Sequence, residues 1–121
     1  MPWTYNQNTG RLSHDGVLVG IGYSGRDAGK NNSVAQNQEG VGPIPRGTYT
    51  ITAPFTHPHT GVYSMRLTPQ SGTMVFGRSG FLMHGDSVDH PGQASDGCIV
   101  QNLMVRRRVW ESGDRTLVVT Q

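Results

Sequence analysis

Cys98 and His84 are the two side chains in this sequence whose types and spacing suggest catalysis. Cys98 is the single cysteine among 121 residues, and it lies between Ser95-Asp96-Gly97 and Ile99-Val100. Small polar residues before the sulfur and β-branched residues after it favour a presented nucleophile over a packed core thiol. His84 follows the apolar run Phe81-Leu82-Met83 at a predicted strand end. An imidazole there could take the thiol proton, so the pair predicts thiol chemistry.

The residues around this pair suggest supporting roles. Gly97 leaves room for a substrate carbonyl, and the N–H groups of Gly97 and Cys98 are candidate oxyanion donors. A β-branched residue at position 97 should therefore reduce the rate more than folding. His84 needs an orienting partner, either the Gly85 carbonyl or the Asp86 carboxylate, and Asp86 is equally suited to capping a turn. Ser95 either donates a hydrogen bond near the site or turns the chain.

Candidate substrate-binding residues come from two loops. Arg78, flanked by Gly77 and Ser79-Gly80, either binds a substrate carboxylate as a bidentate fork or is an ordinary surface arginine. The long polar loop after the third predicted strand either lines a groove or is simply solvated. The candidate residues at this loop are Tyr23, Ser24, Lys30 and Asn31. A further candidate, Asp96, lies two residues before Cys98.

Length and composition predict a single domain spanning residues 1–121. The formal net charge is +2, and the basic run Arg106-Arg107-Arg108 is typical of a solvated helix face, so nucleic acid is not an expected partner. We find no secretory signal and no apolar run that could cross a bilayer, so we expect synthesis in the cytoplasm and no membrane insertion. We also expect a monomer. One cysteine excludes an internal disulfide, and we expect neither metal nor cofactor.

The 17 glycines and 7 prolines favour short β elements over a helix bundle. The pattern predicts a compact, mostly β domain, with one short helix after the N-cap Asn102 and ending at Gly113. The predicted strands are Trp3–Asn6, Arg11–His14, Val17–Tyr23, Thr48–Thr52, Tyr63–Leu67, Thr73–Phe76, Phe81–His84, Cys98–Val100 and Leu117–Val119.

Several motifs together resemble a known enzyme family. His84-Gly85-Asp86 followed by Ser95-x-Gly97-Cys98 is similar to the signature of L,D-transpeptidases. The match is closer to the short, signal-less antibacterial effectors of this type that type VI secretion systems deliver. Further matching segments are Trp3-x-Tyr5, Gly22-Tyr23-Ser24-Gly25, Gly29-Lys30-Asn31-Asn32, Val41-Gly42-Pro43-Ile44-Pro45-x-Gly47-x-Tyr49, Phe76-Gly77-Arg78-Ser79-Gly80-Phe81 and Ser112-Gly113-Asp114-Arg115.

The resemblance implies a β-sandwich or barrel that acts on peptidoglycan stem peptides. The implied reaction is attack by Cys98 on the bond between a diamino acid and the terminal D-alanine of a tetrapeptide, with hydrolysis, D-amino acid exchange or cross-linking as outcomes. It also implies a delivery component, an immunity protein and action in the periplasm of a target bacterium. Asp96 departs from the family, which usually has histidine there, and its negative charge would disfavour the thiolate.

Three other functions remain open at this point. His57, His59, His84, Asp86 and Asp89-His90 could build a metal-dependent peptidoglycan hydrolase site. A papain-like amidase is disfavoured because its cysteine precedes its histidine in the chain. A non-catalytic wall-binding or phage-tail module would need only a β-rich, mildly basic chain, and it would tolerate loss of Cys98.

Overall fold

The fold is a highly curved, barrel-like β-sheet with one helix near the C-terminus. A computed structural model describes residues 1–121. The strands are β1 Trp3–Asn6, β2 Arg11–His14, β3 Val17–Ile21, β4 Tyr23–Ser24, β5 Gly47–Ile51, β6 Phe55–His57, β7 Gly61–Pro69, β8 Leu82–His84, β9 Ile99–Val100 and β10 Thr116–Thr120, and the helix is α1 Leu103–Glu111. Two 3₁₀ turns, Asp27–Gly29 and Ser33–Ala35, lie in the long loop. The mostly β prediction is confirmed.

The strands follow the order β3-β2-β1-β10-β5-β7-β8-β9-β4, with β6 paired to β7 off this path. Two neighbouring pairs are parallel, β1 with β10 and β8 with β9, and the others are antiparallel. The first and last strands of the chain therefore lie side by side. The β8–β9 pair brings the segments carrying His84 and Cys98 together.

Alternation of buried and more exposed residues along the strands shows which face of the sheet forms the core. Trp3 and Tyr5 of β1 are buried, whereas Thr4 between them is exposed. Leu117 and Val119 of β10 repeat this pattern, and all four belong to one core cluster of 15 residues. Side chains of a strand alternate between its two faces, so a period of two places one apolar set inside.

Two predicted strands differ from the structure. The segment predicted as one buried strand over residues 17–23 is divided into β3 and β4, and β3 is an edge strand with Val17 and Ile21 about three-fifths exposed, at 61% and 62%. The predicted strand Thr73–Phe76 is wrong, because Phe76 has φ +57° and Gly77 has φ +73°. Positive φ at two successive residues is incompatible with an extended strand.

Helix α1 begins as the sequence predicts. The Asn102 side chain accepts a hydrogen bond from the Val105 N–H at 2.9 Å, and Val105 and Val109 pack into the core. Arg107 and Arg108 are exposed, but Arg106 is buried, so the prediction that all three arginines form a solvated face is wrong for Arg106. The helix is neither long enough nor apolar enough to cross a membrane.

Candidate active site

The parallel β8–β9 ladder positions both predicted catalytic residues. Met83 is paired with Ile99 and His84 with Val100, and Cys98 directly precedes β9. Extending this register by one residue places Cys98 beside Leu82, two positions from His84. Strand spacings of about 4.8 Å across and 3.3 Å per residue along the sheet then put the two Cα atoms about 8 Å apart. No hydrogen bond joins the two side chains, and they line different hollows.

Cys98 lies partly exposed in a small hollow of about 90 Å³. Its Sγ is 3.8 Å from the Gly80 carbonyl oxygen. The Cys98 N–H takes part in no hydrogen bond within the protein, in contrast to its neighbours in this turn. The cysteine therefore presents both a thiol and a free backbone donor.

The environment of Cys98 favours the neutral thiol. Burial raises the pKa of the Cys98 thiol to about 11, and the Asp96 carboxylate adds to this rise. The Leu82 N–H, Arg78 and Arg66 lower the pKa, but their combined effect is smaller than that of burial. The negative charge at position 96 thus acts in the direction that the sequence indicates. At neutral pH the nucleophile must be generated by removal of a proton.

His84 is oriented by the Gly85 carbonyl and not by Asp86. The ring Nδ1 is 2.7 Å from the Gly85 oxygen, and because a carbonyl can only accept, Nδ1 carries the proton and Nε2 carries the free lone pair. Burial lowers the pKa of His84 below its ordinary value, and the nearby Arg106 and His57 charges lower it further. His84 is therefore a neutral imidazole at pH 7, able to accept a proton.

Asp86 holds the loop that follows His84. Its carboxylate accepts hydrogen bonds from the Tyr23 hydroxyl at 2.6 Å and from the N–H groups of Ser87 at 2.8 Å and Gly92 at 3.0 Å. Burial raises the pKa of Asp86, but these hydrogen bonds and Lys30 outweigh it and keep the pKa below its usual value. Of the two roles considered from sequence, the structure displays the turn-capping one.

Tyr23 and Lys30 also fasten this loop. The Tyr23 hydroxyl accepts a hydrogen bond from the Ala94 N–H at 2.8 Å, and Lys30 Nζ donates to the Gly92 carbonyl at 3.0 Å. The same Nζ lies 4.3 Å from the centre of the Tyr23 ring. Tyr23 lines a hollow beside the His84 groove, whereas Lys30 lines none of the pockets. Both side chains therefore fasten the loop between His84 and Cys98 at Gly92 and Ala94.

Ser95 shapes the turn that carries the cysteine. Its buried Oγ accepts hydrogen bonds from the N–H groups of Gly25 at 2.9 Å and Gly97 at 3.1 Å and donates to the Cys98 carbonyl at 2.6 Å. The Gly97 N–H is therefore engaged, and the free oxyanion donor in this turn is the Cys98 N–H. Of the two roles considered for Ser95, the structure displays the structural one.

Gly97 is required by the backbone and by packing. Its φ is +130°, and a Cβ added there would lie within 2.2 Å of Arg78 Nη2, a contact that the protein cannot accommodate without moving a buried guanidinium. A side chain at position 97 would therefore disturb folding as well as the rate, and the expectation that the rate suffers more stays a prediction.

Arg78 is neither a free carboxylate fork nor a surface residue. Its guanidinium is 5% exposed and donates to the carbonyl oxygens of Gln36 at 2.6 Å, Pro43 at 2.7 Å, Gly42 at 2.9 Å and Asp96 at 3.3 Å. Burial lowers its pKa. Four of its five N–H groups are thus used in joining loops, which corrects both interpretations of this residue.

Of the remaining candidate binding residues, Ser24 and Asn31 are bonded within the protein, whereas Asp96 is exposed. Ser24 is fully buried, with Oγ accepting from the Ile44 N–H at 2.9 Å, and Asn31 Oδ1 accepts from the Ser24 N–H at 3.2 Å. The prediction that Ser24 lines a groove is therefore wrong. Asp96 is exposed, lines the hollow of Cys98 and pairs with Arg26 Nη1 at 3.1 Å.

His84 opens into a groove of about 500 Å³. Its lining residues are His59, Thr60, Gly61, Val62, His84, Gly85, Asp86, Ser87, Val88, Asp89, Ala94 and Arg106. Arg106 is the charged member of this lining that the sequence did not suggest as a site residue. Its position four residues after Asn102 and three before the buried Val109 would have placed it on the inner side of the helix.

The groove does not build the metal site considered from sequence. No three side chains of histidine, cysteine, aspartate or glutamate come close enough together to hold a metal ion. Within the proposed set, His57 Nδ1 instead accepts hydrogen bonds from the N–H groups of His59 and Thr60 at 3.0 and 3.2 Å. The metal-dependent interpretation therefore finds no ligand cluster.

Comparison with protein families decides the relationship. The family model described as the Tlde1 domain matches residues 20–119. The chain belongs to the Tlde1 domain family. This family comprises type VI secretion effectors of L,D-transpeptidase type, so the resemblance drawn from the motifs is confirmed at that level. The Tlde1 match includes Cys98, His84 and all of α1, whereas β1 and β2 precede it. No curated protein sequence matches the chain.

Replacing Ser95 with alanine should reduce both stability and turnover of this Tlde1 domain. The change leaves two N–H groups and one carbonyl without their partner, which costs about 1–3 kcal/mol of unfolding free energy, and it releases the turn that orients Cys98. Chemical denaturation and the catalytic rate per folded molecule measure the two effects. Ser64→Ala is the matched control, since Ser64 is also fully buried and bonded through Oγ. Equal rate losses in both variants would contradict a local role for Ser95.

Alkylation of Cys98 by iodoacetamide should be slow at pH 7 and accelerate about tenfold per pH unit up to the thiol pKa. With a pKa of about 11, about 10⁻⁴ of the thiol is ionised at pH 7. Asp96→Asn should speed alkylation because it removes a charge that raises this pKa, whereas Asp89→Asn, in the exposed loop, should not. Intact-mass spectrometry follows the reaction. A fast, pH-independent rate below pH 8 would indicate a preformed thiolate and contradict this description.

Proposed function

We propose that this protein is a cysteine-dependent L,D-carboxypeptidase and D-amino acid exchange enzyme that acts on tetrapeptide stems of peptidoglycan. Cys98 is the nucleophile and His84 is the general base. The observation that carries the proposal is the state of His84, whose Nδ1 is bonded to the Gly85 carbonyl, so that its free Nε2 can accept a proton. His84 lies on β8, which pairs with β9, the strand that directly follows Cys98. Membership of the Tlde1 family supports the reaction type.

The first half-reaction forms a thioester. His84 takes the proton of the Cys98 thiol as the sulfur attacks the carbonyl carbon of the diamino acid at position three of the stem. Because the resting imidazole is neutral and the thiol pKa is high, proton transfer and attack occur together rather than through a stored ion pair. The protonated imidazole then returns the proton to the nitrogen of the departing D-alanine.

The tetrahedral intermediate needs a donor for its oxyanion. The Cys98 N–H has no partner in the protein and lies on the same residue as the attacking sulfur, so it is the donor that supports this step. Ser95 fixes the turn through the Cys98 carbonyl and the Gly97 N–H. The Ser95 side chain thus preorganises the backbone donor without itself contacting the oxyanion.

The second half-reaction decides the product. Water attacking the thioester gives the tripeptide, and a free D-amino acid gives an exchanged tetrapeptide, with His84 taking the proton of the attacking group in each case. A neighbouring stem would give a cross-link between two third residues. Hydrolysis and exchange both remove tetrapeptide donors from the wall of the target, which accounts for toxicity.

The setting of this activity is part of the same proposal. The protein is made in the producing cell, delivered by a type VI secretion component and active in the periplasm of the recipient. A producer whose own periplasm is exposed to the enzyme needs an inhibitor, and the hollows around His84 and Cys98 are the surfaces that such an immunity protein would cover. A structure of the complex in which the hollows of His84 and Cys98 both remain open to solvent would refute this assignment.

The decisive experiment is incubation of the purified protein with tetrapeptide muropeptides at pH 7–8. Mass spectrometry should detect the tripeptide and released D-alanine, and added D-methionine should produce the exchanged tetrapeptide. Pentapeptide muropeptides serve as the control substrate, because in them a further residue follows the fourth one and the bond after the diamino acid is no longer the last of the stem. Absence of both tripeptide and exchange product from the tetrapeptide would defeat the proposal.

A further inference from the structure

Arg106 places an uncompensated positive charge in the wall of the His84 groove. The side chain is 6% exposed, and no aspartate or glutamate forms an ion pair with it. Burial accordingly lowers its pKa. A buried cation without an anionic partner is costly unless carbonyl oxygens accept from its N–H groups, as they do from four N–H groups of Arg78. The N–H groups of Arg106 that lack such a partner are therefore the ones that could bind an anion from outside the chain.

One amino group of Arg106 has no partner in the protein. Nε donates to the Gln101 carbonyl at 3.0 Å, and Nη1 donates to the carbonyls of Val62 at 2.9 Å and Tyr63 at 3.1 Å. A guanidinium has five N–H groups, two of them on each terminal nitrogen, so both N–H groups of Nη2 remain available. The three bonded groups fix the plane of the guanidinium, and the free Nη2 is thereby held in place.

The free Nη2 faces the groove at Gly85. A Cβ added to Gly85 would lie within 2.8 Å of Nη2, so the missing side chain at this position keeps the amino group accessible. Arg106 and Gly85 line both the 500 Å³ groove and the adjoining hollow of about 380 Å³. Gly85 is also the residue whose carbonyl orients His84, so the cation and the general base are connected through one residue.

Asp86 is the acidic group of the chain that lines both hollows with Arg106. Its carboxylate is engaged by the Tyr23 hydroxyl and by the N–H groups of Ser87 and Gly92, and it makes no ion pair with Arg106. Asp89, which lines only the larger groove, makes no ion pair with Arg106 either, so no carboxylate of the groove pairs with this guanidinium. An anion entering the groove would meet Nη2 beside His84.

We propose that Arg106 Nη2 binds the carboxylate of the D-amino acid that is expelled from the stem as the Cys98 thioester forms, or that attacks this thioester in the exchange reaction. This assignment rests on the proposed function, in which His84 protonates the amine of the departing D-alanine. The departing residue must then occupy the His84 groove, and its carboxylate is attached to the same carbon as that amine. A charge-assisted hydrogen bond from Arg106 would select a stem that ends at this residue, because an internal residue has no carboxylate there.

The test compares two synthetic tetrapeptide stems, one ending in D-alanine and the other in D-alaninamide. Wild-type enzyme should cleave the acid with a kcat/KM about 10- to 100-fold above that for the amide, the factor expected for one charge-assisted hydrogen bond. Arg106→Gln should bring this ratio close to one. Arg108→Gln, which removes the same charge from an exposed position of the same helix, should retain the wild-type ratio.

The ratio compares two substrates on one enzyme preparation, so partial unfolding of Arg106→Gln does not affect it. Gly85→Ala, which crowds Nη2 while keeping all the Arg106 hydrogen bonds to carbonyls, should lower the ratio as well. A wild-type ratio near one, or a high ratio that survives in Arg106→Gln, would overturn the assignment. A third stem amidated on the side-chain carboxylate of the diamino acid tests the other anion, and Arg106-dependent discrimination against that stem alone would also overturn it.

A binding experiment by NMR tests whether Arg106 binds the carboxylate even if no turnover is found. Arg106 Nε–H is bonded to the Gln101 carbonyl, so its ¹⁵N resonance can be followed in the wild-type protein. D-Alanine should shift this resonance, and D-alaninamide at the same concentration should not. Failure of the proposed function appears as no cleavage of either stem, whereas failure of the present assignment appears as no carboxylate-dependent shift.

Discussion

Replacing Cys98 with alanine is expected to abolish D-alanine release from tetrapeptide stems while leaving a folded protein. The thioester cannot form without the sulfur, and the remaining oxyanion donor and groove do not supply a nucleophile, so the rate should fall by at least about 10³-fold. The thiol is partly exposed and bonded only weakly, to the Gly80 carbonyl at 3.8 Å. Thermal unfolding should therefore change little.

Ser79→Ala is the matched control for this experiment. Ser79 is the one hydroxyl-bearing residue that lines the hollow of Cys98, and it would be the alternative nucleophile there. Its loss should leave turnover close to wild type, and the wild-type protein alone should form a hydroxylamine-sensitive acyl adduct on trapping with substrate. A Cys98→Ala protein that still releases D-alanine would show that another group is the nucleophile. A Cys98→Ala protein that releases none but binds the wall with unchanged toxicity would favour the non-catalytic wall-binding interpretation.

The sequence predicts the strands of the core well because one face of the sheet is buried. Trp3–Asn6 and Arg11–His14 have the predicted bounds, and β10 extends the predicted Leu117–Val119 by one residue at each end. In β1 apolar and polar side chains alternate, and in β10 the burial alternates, so the buried positions follow a period of two that is a local property of the chain. The edge strand β3 lacks this pattern, since Val17, Leu18 and Ile21 are exposed and only Val19 packs against the core, and its prediction as a buried strand is wrong.

The site is less predictable because it depends on where loops converge. Arg78 lies in a glycine-rich segment that is typical of an exposed turn, yet its guanidinium is buried by carbonyls from residues 36–43, far away in the chain. Ser24 is buried by the same loop packing. Arg106 is a different case, because treating three successive arginines as one unit concealed the helical position that places the first of them inward. A cation on the inner side of a helix is a stronger indication of a site than a cation in a polar loop.

Replacing His84 with glutamine should reduce kcat at pH 7 by about 10²- to 10⁴-fold, the range for loss of a general base. Glutamine retains a donor for the Gly85 carbonyl but has no lone pair of comparable basicity. The loss should shrink as pH rises, because the thiol ionises without help as the pH approaches its pKa of about 11. The rate of His84→Gln should thus increase about tenfold per pH unit.

The wild-type profile should instead be flat across this range. The active form of the pair carries one shared proton, so activity falls on the acid side only when His84 becomes protonated, below pH 6.5 because burial lowers its pKa, and on the alkaline side only near the thiol pKa. His57→Gln is the matched control: it removes an imidazole whose charge lowers the His84 pKa, so the acid limb should move to higher pH with kcat at pH 8 retained. A wild-type profile that rises as steeply as that of His84→Gln would show that His84 takes no proton from Cys98, and a second base would then have to be sought.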